Sequence, residues 1–170
     1  MKSAAKFSGY DCSGFPYRAM ERDLMAVMLR ERWLKKRPQP PVLDCPWRVV
    51  QRIPSSICES RKEHFLAFYL DARNHLVREE TVSIGTLSAS LVHPREVFSP
   101  AIAHAAAALI VAHNHPSGDC TPSPEDKDVT RRLQESGALL GIPLLDHLIV
   151  AAGGDFCSFR ERGLLKEAGK

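Results

Sequence analysis

The feature that most constrains this chain is an apolar segment that runs directly into a polar turn and a helix start, between residues 105 and 126. Residues 105–112 (AAAALIVA) are apolar and are followed at once by turn residues, which predicts a buried strand. The next stretch is rich in Pro, Gly, Ser and Asp and predicts a tight turn. Ser123-Pro124 followed by two acids predicts a helix with Ser123 as its N-cap, extending to about residue 136.

Three side chains around this turn have the chemistry of metal ligands: His113, His115 and Asp126. Side chains alternate along an extended segment, so both imidazoles face the same side. The turn brings Asp126 back toward them. Imidazole nitrogens and carboxylate oxygens bind zinc, and catalytic zinc sites keep three protein ligands. Two simpler interpretations remain open. The His-X-His pair could only form hydrogen bonds in a loop, and Asp126 could only stabilise the first turn of the helix as an acidic residue.

Two further residues are candidates for catalytic roles near such a metal. Ser123 caps the predicted helix, and its hydroxyl is also placed to donate to a developing oxyanion beside the metal. A hydrolytic site also needs a carboxylate that moves the proton of the attacking water. Glu63, just before a predicted strand, is our candidate for this general base. Spacing alone does not exclude Glu59, Glu79 and Glu80.

The remaining patterns alternate between strands and helices, which places the chain in the α/β or α+β class. Gly137 or Gly141 is expected to end the helix that starts at Ser123. A helix is expected to open at His93-Pro94 and to run toward His104. The other predicted elements are a helix over 17–36, a short helix over 47–53, and strands over 65–71, 75–84, 87–92, 144–151 and 156–159.

Domain organisation and charge divide the chain unequally. Residues 1–16 are expected to form a loose arm, and the Pro-rich segment 37–41 a stiff linker after the helix over 17–36. We therefore predict an N-terminal region over residues 1–44 and a catalytic domain over residues 45–170. Residues 1–62 carry 13 Lys or Arg against 6 acids, a net charge of +7, whereas residues 63–170 carry 10 against 14, a net charge of −4. A basic helix can contact nucleic acid weakly, but a solvated helix face is the favoured reading because interleaved aromatic residues are missing.

The compartment and partners follow from what the sequence lacks. Five cysteines without close paired spacing argue against a disulfide framework and against a cysteine zinc ribbon. No apolar run is long enough to span a bilayer, and the first residues lack the apolar core of a signal peptide. We expect a cytoplasmic protein that does not associate with membranes. The sequence does not indicate an oligomeric state.

The block from His113 to Asp126 matches the JAMM signature of the JAB/MPN metallohydrolases: His-X-His, seven residues, Ser, two residues, Asp. The chain resembles the RadC family more closely still, over roughly residues 45–160. Similar blocks are GTLSASLVHPREVF (85–98), HNHPSGD (113–119) and LDHLIV (145–150). The resemblance implies a cytidine-deaminase-like α/β fold with a mixed sheet flanked by helices. It also implies Zn²⁺ on His113, His115 and Asp126, with Glu63 as the catalytic glutamate.

The chain departs from the family pattern in two respects. RadC proteins usually carry an N-terminal helix-hairpin-helix DNA-binding domain, and residues 1–44 are too short for one, so the chain resembles the shorter RadC-like form. Cys120 stands where the family usually has proline, and a loop thiol without a ligand role is the favoured reading. In the pair Asp146-His147, strand alternation allows only one side chain to face the metal pocket. A structural hydrogen bond is the default role, and support of a ligand histidine is the alternative.

Two functions from different classes remain. The first is a zinc metallohydrolase, a metallopeptidase or isopeptidase that cleaves an amide bond in a protein or peptide substrate. The second is a non-enzymatic nucleic-acid-binding or DNA-repair-associated module that uses the fold as a scaffold. It depends on the basic first 62 residues, including Arg30, Arg32, Lys35 and Lys36, and on the family's association with DNA repair. We favour the first because a complete ligand set is seldom kept without use of the metal.

Overall fold

A computed structural model of the chain describes residues 24–28, 39–85 and 92–165. The chain divides into two compact units, residues 1–39 and residues 40–170. In the first unit residues 24–28 are helical, within the helix predicted over 17–36. The rest of that helix, the predicted arm over 1–16 and the basic cluster at 30–36 lie outside the described residues. The division at residue 44 stays a prediction.

The second unit is built around one mixed β-sheet. Its elements in chain order are α1 (Pro46–Val50), α2 (Ser55–Cys58), β1 (Glu63–Leu70), β2 (Leu76–Gly85), α3 (Pro94–Ala103), β3 (Ala108–Asn114), α4 (Pro124–Leu140), β4 (Leu144–Val150) and β5 (Phe156–Ser158). The strand order is β2-β1-β3-β4-β5. β3 and β4 are parallel, and every other neighbouring pair is antiparallel. The predicted mixed sheet flanked by helices is confirmed.

Helices cover both faces of the central strands, so β1 and β3 are apolar almost throughout. In β3, Leu109 and Val111 pack with residues of α3 and α4, whereas Ile110 and Ala112 pack with residues of α1 on the other face. This alternation determines where the polar end of the strand points. His113 continues the row that faces α4. Asn114 continues the row that faces α1 and α2.

Some boundaries differ from the sequence-based expectation. β3 begins at Ala108 rather than at Ala105, which has a positive φ of 50°. The helix from Ser123 passes through Gly137 and ends at Gly141, whose φ of 69° is the left-handed conformation that favours glycine. Gly137 serves packing instead, because a Cβ there would lie 2.5 Å from the carbonyl oxygen of Ile142.

Most other elements lie close to where they were predicted. The helix predicted at His93-Pro94 is α3, in which the imidazole of His93 accepts a hydrogen bond from the backbone of Arg95. Of the strand predicted over 87–92, residues 87–91 lie outside the described residues, and Val92 is a buried bend residue. Among the described residues, no helix is both long enough and apolar enough to cross a bilayer.

Candidate metal centre

Two of the three predicted ligands come from the end of β3. His113 lies inside the strand, between Phe65 of β1 and Ile149 of β4, and is completely buried. His115 lies one residue beyond the strand, where its backbone N–H donates to the carbonyl of Val150 at 2.9 Å. The Nε2 atoms of the two imidazoles are 3.0 Å apart. The strand therefore brings both rings to one point, as the alternation argument predicts.

The third predicted ligand is held by the first turn of α4. Asp126 and Ser123 form a capping box: the Ser123 Oγ accepts from the Asp126 N–H at 3.1 Å, and Asp126 Oδ2 accepts from the Ser123 N–H at 2.8 Å. The Ser123 hydroxyl also donates to Oδ2, at 2.7 Å. The other carboxylate oxygen, Oδ1, lies 3.1 Å from Nε2 of His113. Helix capping thus orients the carboxylate toward the imidazoles.

The spacing of these atoms suits a divalent metal ion. Donor atoms of His113, His115 and Asp126 all lie within 4.8 Å of one another. The Nε2–Nε2 distance is 3.0 Å, and the two Nε2–carboxylate distances are 3.1 and 3.4 Å. Ligands about 2.0–2.2 Å from a tetrahedral ion are about 3.3–3.6 Å apart. The three residues can therefore hold a metal ion with little rearrangement.

The three predicted ligands also perturb one another's pKa values. Burial alone would raise the pKa of Asp126, but the close contacts with His113 and His115 and the hydrogen bond from Ser123 outweigh it and hold that pKa far below its usual range. The hydrogen bond with Asp126 raises the pKa of His115, and burial opposes it. Asp126 is thus an anion at neutral pH, which is the form that binds a cation.

A backbone carbonyl fixes the orientation of the His115 ring. Nδ1 of His115 lies 2.6 Å from the carbonyl oxygen of Asp119. A carbonyl only accepts, so Nδ1 carries a hydrogen and Nε2 faces Asp126. The neighbouring Cys120 is not part of the group of metal-binding candidates found among the described residues. Its thiol lies 3.3 Å from the carbonyl oxygen of Asp155 and packs against β5.

An open cavity of about 410 Å³ adjoins two of the three predicted ligands, His115 and Asp126. Glu63, the first residue of β1, lines it, and so does Ser123. The rest of the lining comes from the turn and the start of α4: His115, Pro116, Ser117, Glu125 and Asp126. Both predicted catalytic residues and two of the predicted ligands therefore line the same cavity.

The competing glutamates lie elsewhere. Glu79 forms a bidentate ion pair with Arg52, with contacts of 2.6 and 3.1 Å. Glu80 accepts a hydrogen bond from Arg78 at 2.6 Å, and it lines a separate cavity of about 140 Å³ together with Glu79. Glu59 is exposed and outside the lining of the larger cavity. Of the four candidates, Glu63 is thus the one placed beside the ligands.

Asn114, which was not singled out from the sequence, holds the segment that carries Glu63. It is completely buried and points away from the two histidines that flank it. Its Oδ1 accepts from the His64 N–H at 2.7 Å, and its Nδ2 donates to the carbonyls of Lys62 at 3.1 Å and Ser60 at 3.3 Å. These bonds fasten the backbone on both sides of Glu63 to the end of β3. The sequence did contain a signal for this role, because Asn114 is a polar residue between the two histidines and strand alternation places it on the opposite face of a buried strand.

The Asp146-His147 pair divides between the two faces of β4, as alternation predicts. Asp146 accepts hydrogen bonds from the Ser158 hydroxyl at 2.6 Å and from the Arg160 N–H at 3.0 Å. His147 faces the metal centre, and its Nε2 lies 2.8 Å from Nδ1 of His113. Burial lowers the pKa of His147 well below its ordinary value. His147 therefore contacts the predicted ligand His113, and Asp146 has a structural hydrogen-bonding role.

The mixed sheet, with two histidines at the end of a central strand and an aspartate at the following helix start, defines a hydrolase-related JAB domain. The model of the RadC-like JAB domain family matches residues 43–164. The chain belongs to this family, which confirms the resemblance seen in its sequence motifs.

Relatives of the chain carry the name UPF0758 protein. The chain is 49% identical over 123 residues to one from Shouchella clausii, covering 72% of the chain and 53% of the relative. It is 59% identical over 103 residues to one from Symbiobacterium thermophilum, covering 61% and 44%. One from Rubrobacter xylanophilus is 44% identical over 143 residues, covering 84% and 62%. The chain spans about half the length of the curated relatives it matches, and their names assign no activity.

Proposed function

We propose that this protein is a zinc-dependent hydrolase that cleaves an amide bond in a protein or peptide. The observation that carries the proposal is the convergence of five side chains: His113, His115 and Asp126 at ligand spacing, with Glu63 and Ser123 on the cavity beside them. Two imidazoles and one carboxylate are a donor set that zinc accepts, and they leave a fourth position for substrate or water. The cavity is open to solvent, so an extended chain can reach it.

Each residue has a distinct role in this proposal. A bound zinc ion supplies Lewis acidity, which polarises a carbonyl group and makes water more acidic. Glu63 accepts the proton of the attacking water and returns it to the leaving nitrogen. Ser123 donates to the oxygen of the tetrahedral intermediate. Since its hydroxyl donates to Asp126 Oδ2 in this structure, Ser123 must rotate that hydrogen toward the substrate, while its N–H keeps hold of the carboxylate.

The proposal is tested with the Glu63→Gln variant and a matched control, Glu59→Gln. Both replace one carboxylate near the start of β1, but Glu59 is outside the lining of the cavity. The zinc content of each protein is measured first, and then its hydrolysis of a broad peptide library. We expect Glu63→Gln to lower kcat by about 10²–10⁴-fold at unchanged zinc content, and Glu59→Gln to match wild type. A wild-type protein with one zinc per chain but no amide hydrolysis sensitive to Glu63→Gln would overturn the proposal.

The competing proposal, a nucleic-acid-binding module, is supported by the net charge of +7 over residues 1–62. Such binding should weaken steeply with added salt, because it releases counterions from the nucleic acid. Reversing the charges of Arg30, Arg32, Lys35 and Lys36 should then abolish DNA binding at low salt. If DNA binding is unchanged in that variant, or is undetectable in wild type, this second function loses its support.

A further inference from the structure

A third histidine lies behind the metal centre, and the proposed reaction does not use it. His147 of β4 pairs with Val111 of β3 and is completely buried. Its Nε2 lies 2.8 Å from Nδ1 of His113, and its Nδ1 lies 2.6 Å from Oγ1 of Thr130 in α4. Thr130 is itself 1% exposed. The side chain thus joins a ligand histidine to a buried hydroxyl.

The positions of the hydrogens on His147 and His113 follow from the hydrogen bonds that Thr130 makes. Oγ1 of Thr130 lies 2.6 Å from the backbone carbonyl oxygen of Asp126. A carbonyl only accepts, so the single hydroxyl hydrogen of Thr130 is directed at that oxygen. Toward His147 the hydroxyl can therefore only accept. It follows that Nδ1 of His147 carries a hydrogen and donates it to Thr130.

The other nitrogen of His147 must then be an acceptor. Two aromatic rings enclose the imidazole: Phe159 is stacked on it at a centroid distance of 4.7 Å, and Phe65 meets it edge-on at 5.6 Å. A second ring proton would place a cation in this apolar enclosure, which is strongly unfavourable. Nε2 of His147 therefore presents a lone pair to Nδ1 of His113. His113 donates from Nδ1, and its Nε2 remains for the metal.

We propose that Thr130 and His147 form a relay that fixes the tautomer of His113, so that Nε2 of His113 is presented to the metal as a lone pair. The relay begins and ends at Asp126, because this residue supplies both a ligand oxygen and the backbone carbonyl that orients the Thr130 hydroxyl. It rests on the metal site of the proposed function and makes Thr130 and His147 positioning residues. His115 needs no such relay, because the carbonyl of Asp119 binds its Nδ1 directly.

The proposal is tested with Thr130→Val, which removes the hydroxyl at nearly constant volume, and with Thr130→Ser as the matched control that retains it. Nitrogen-15 NMR of histidine-labelled, zinc-free protein reports the tautomer of His147. Competition with a chelator of known affinity gives the zinc dissociation constant. We expect the Nδ1–H tautomer of His147 in wild type and Thr130→Ser, and a substantial Nε2–H population in Thr130→Val. We expect zinc to bind about tenfold or more weakly to Thr130→Val, and Thr130→Ser to restore wild-type affinity.

Two outcomes would overturn the relay. One is a wild-type protein in which His147 is mainly the Nε2–H tautomer. The other is a folded Thr130→Val variant that keeps both the wild-type tautomer and the wild-type zinc affinity. The wild-type NMR spectrum decides the question even if the valine variant does not fold. A failure of the proposed function looks different: zinc would bind without amide hydrolysis, while the tautomer and the affinity difference remained as stated.

Discussion

Asn114→Ala removes the side chain that fastens the segment before β1 to the end of β3. The regular pairing of β1 with β3 begins at Phe65 opposite His113. One residue earlier, the Asn114 carboxamide takes the place of a strand backbone by accepting from the His64 N–H at 2.7 Å. Its amide group binds the carbonyl oxygens of Lys62 and Ser60. The substitution therefore removes three hydrogen bonds at once, two of them at Lys62 and His64, which flank Glu63.

The expected cost follows from those contacts. A hydrogen bond contributes about 0.5–1.5 kcal/mol net, and the contact of 3.3 Å with Ser60 is the weakest of the three. We therefore expect Asn114→Ala to lower the free energy of unfolding by about 2–3 kcal/mol. For a domain of this size, that lowers Tm by roughly 4–12 °C. Hydrolysis should fall further, because a displacement of Glu63 by about 1 Å can reduce the rate by up to about 10²-fold.

Urea denaturation of zinc-free protein, followed by fluorescence, measures this loss. Ser136→Ala is the control, because it removes one side-chain hydrogen bond, to the carbonyl of Arg132 one turn earlier in the same helix. That local bond contributes little, so the control should change the unfolding free energy by less than about 0.5 kcal/mol. If Asn114→Ala is no less stable than Ser136→Ala, the Asn114 contacts do not fasten β1 to β3.

Three further outcomes are expected. In zinc-free protein, NMR titration should show the pKa of His115 above its ordinary value, and Asp126→Asn should lower that pKa. The contact between His115 and Asp126 therefore stabilises the fold below about pH 6.5. This stabilisation is lost as the pH rises through the raised folded-state pKa of His115. Gly137→Ala should destabilise by about 1–3 kcal/mol in denaturation experiments, despite the better helix propensity of alanine, because its Cβ would lie 2.5 Å from the Ile142 carbonyl oxygen; a gain in stability would contradict the observed packing. Ser123→Ala should cost about 1 kcal/mol through loss of the helix cap, and an unchanged midpoint would show that the cap contributes nothing.

The sequence was most informative where local rules act alone. Strand alternation placed His113 and His115 on one face, and the Ser123-Pro124 start placed Asp126 at the third helical position, where the capping box now holds it. Both effects depend on residues within a few positions of one another. They therefore did not require knowledge of the tertiary fold.

Contacts between distant segments were harder to predict. Glu63 lies fifty residues before His113, and only the pairing of β1 with β3 separates it from Glu59, Glu79 and Glu80. The sequence analysis did not predict a role for Thr130, although Thr130 is a polar residue one helical turn after Asp126 on the buried face of α4. Its role depends on His147, which only the parallel pairing of β3 with β4 brings near. The start of β3 was also misplaced, since a run of alanines does not mark where a turn ends.

We infer that His113, His115 and Asp126 together hold one metal ion. Calorimetric titration of metal-free protein with zinc tests it most directly, with Asp126→Asn as the disabled variant and Cys120→Ser as the control on the same loop. We predict one zinc per chain in wild type and in Cys120→Ser, and binding at least about 10²-fold weaker in Asp126→Asn, since the anionic ligand is lost. Equal zinc affinity in wild type and Asp126→Asn, or loss of binding in Cys120→Ser, would contradict this ligand set.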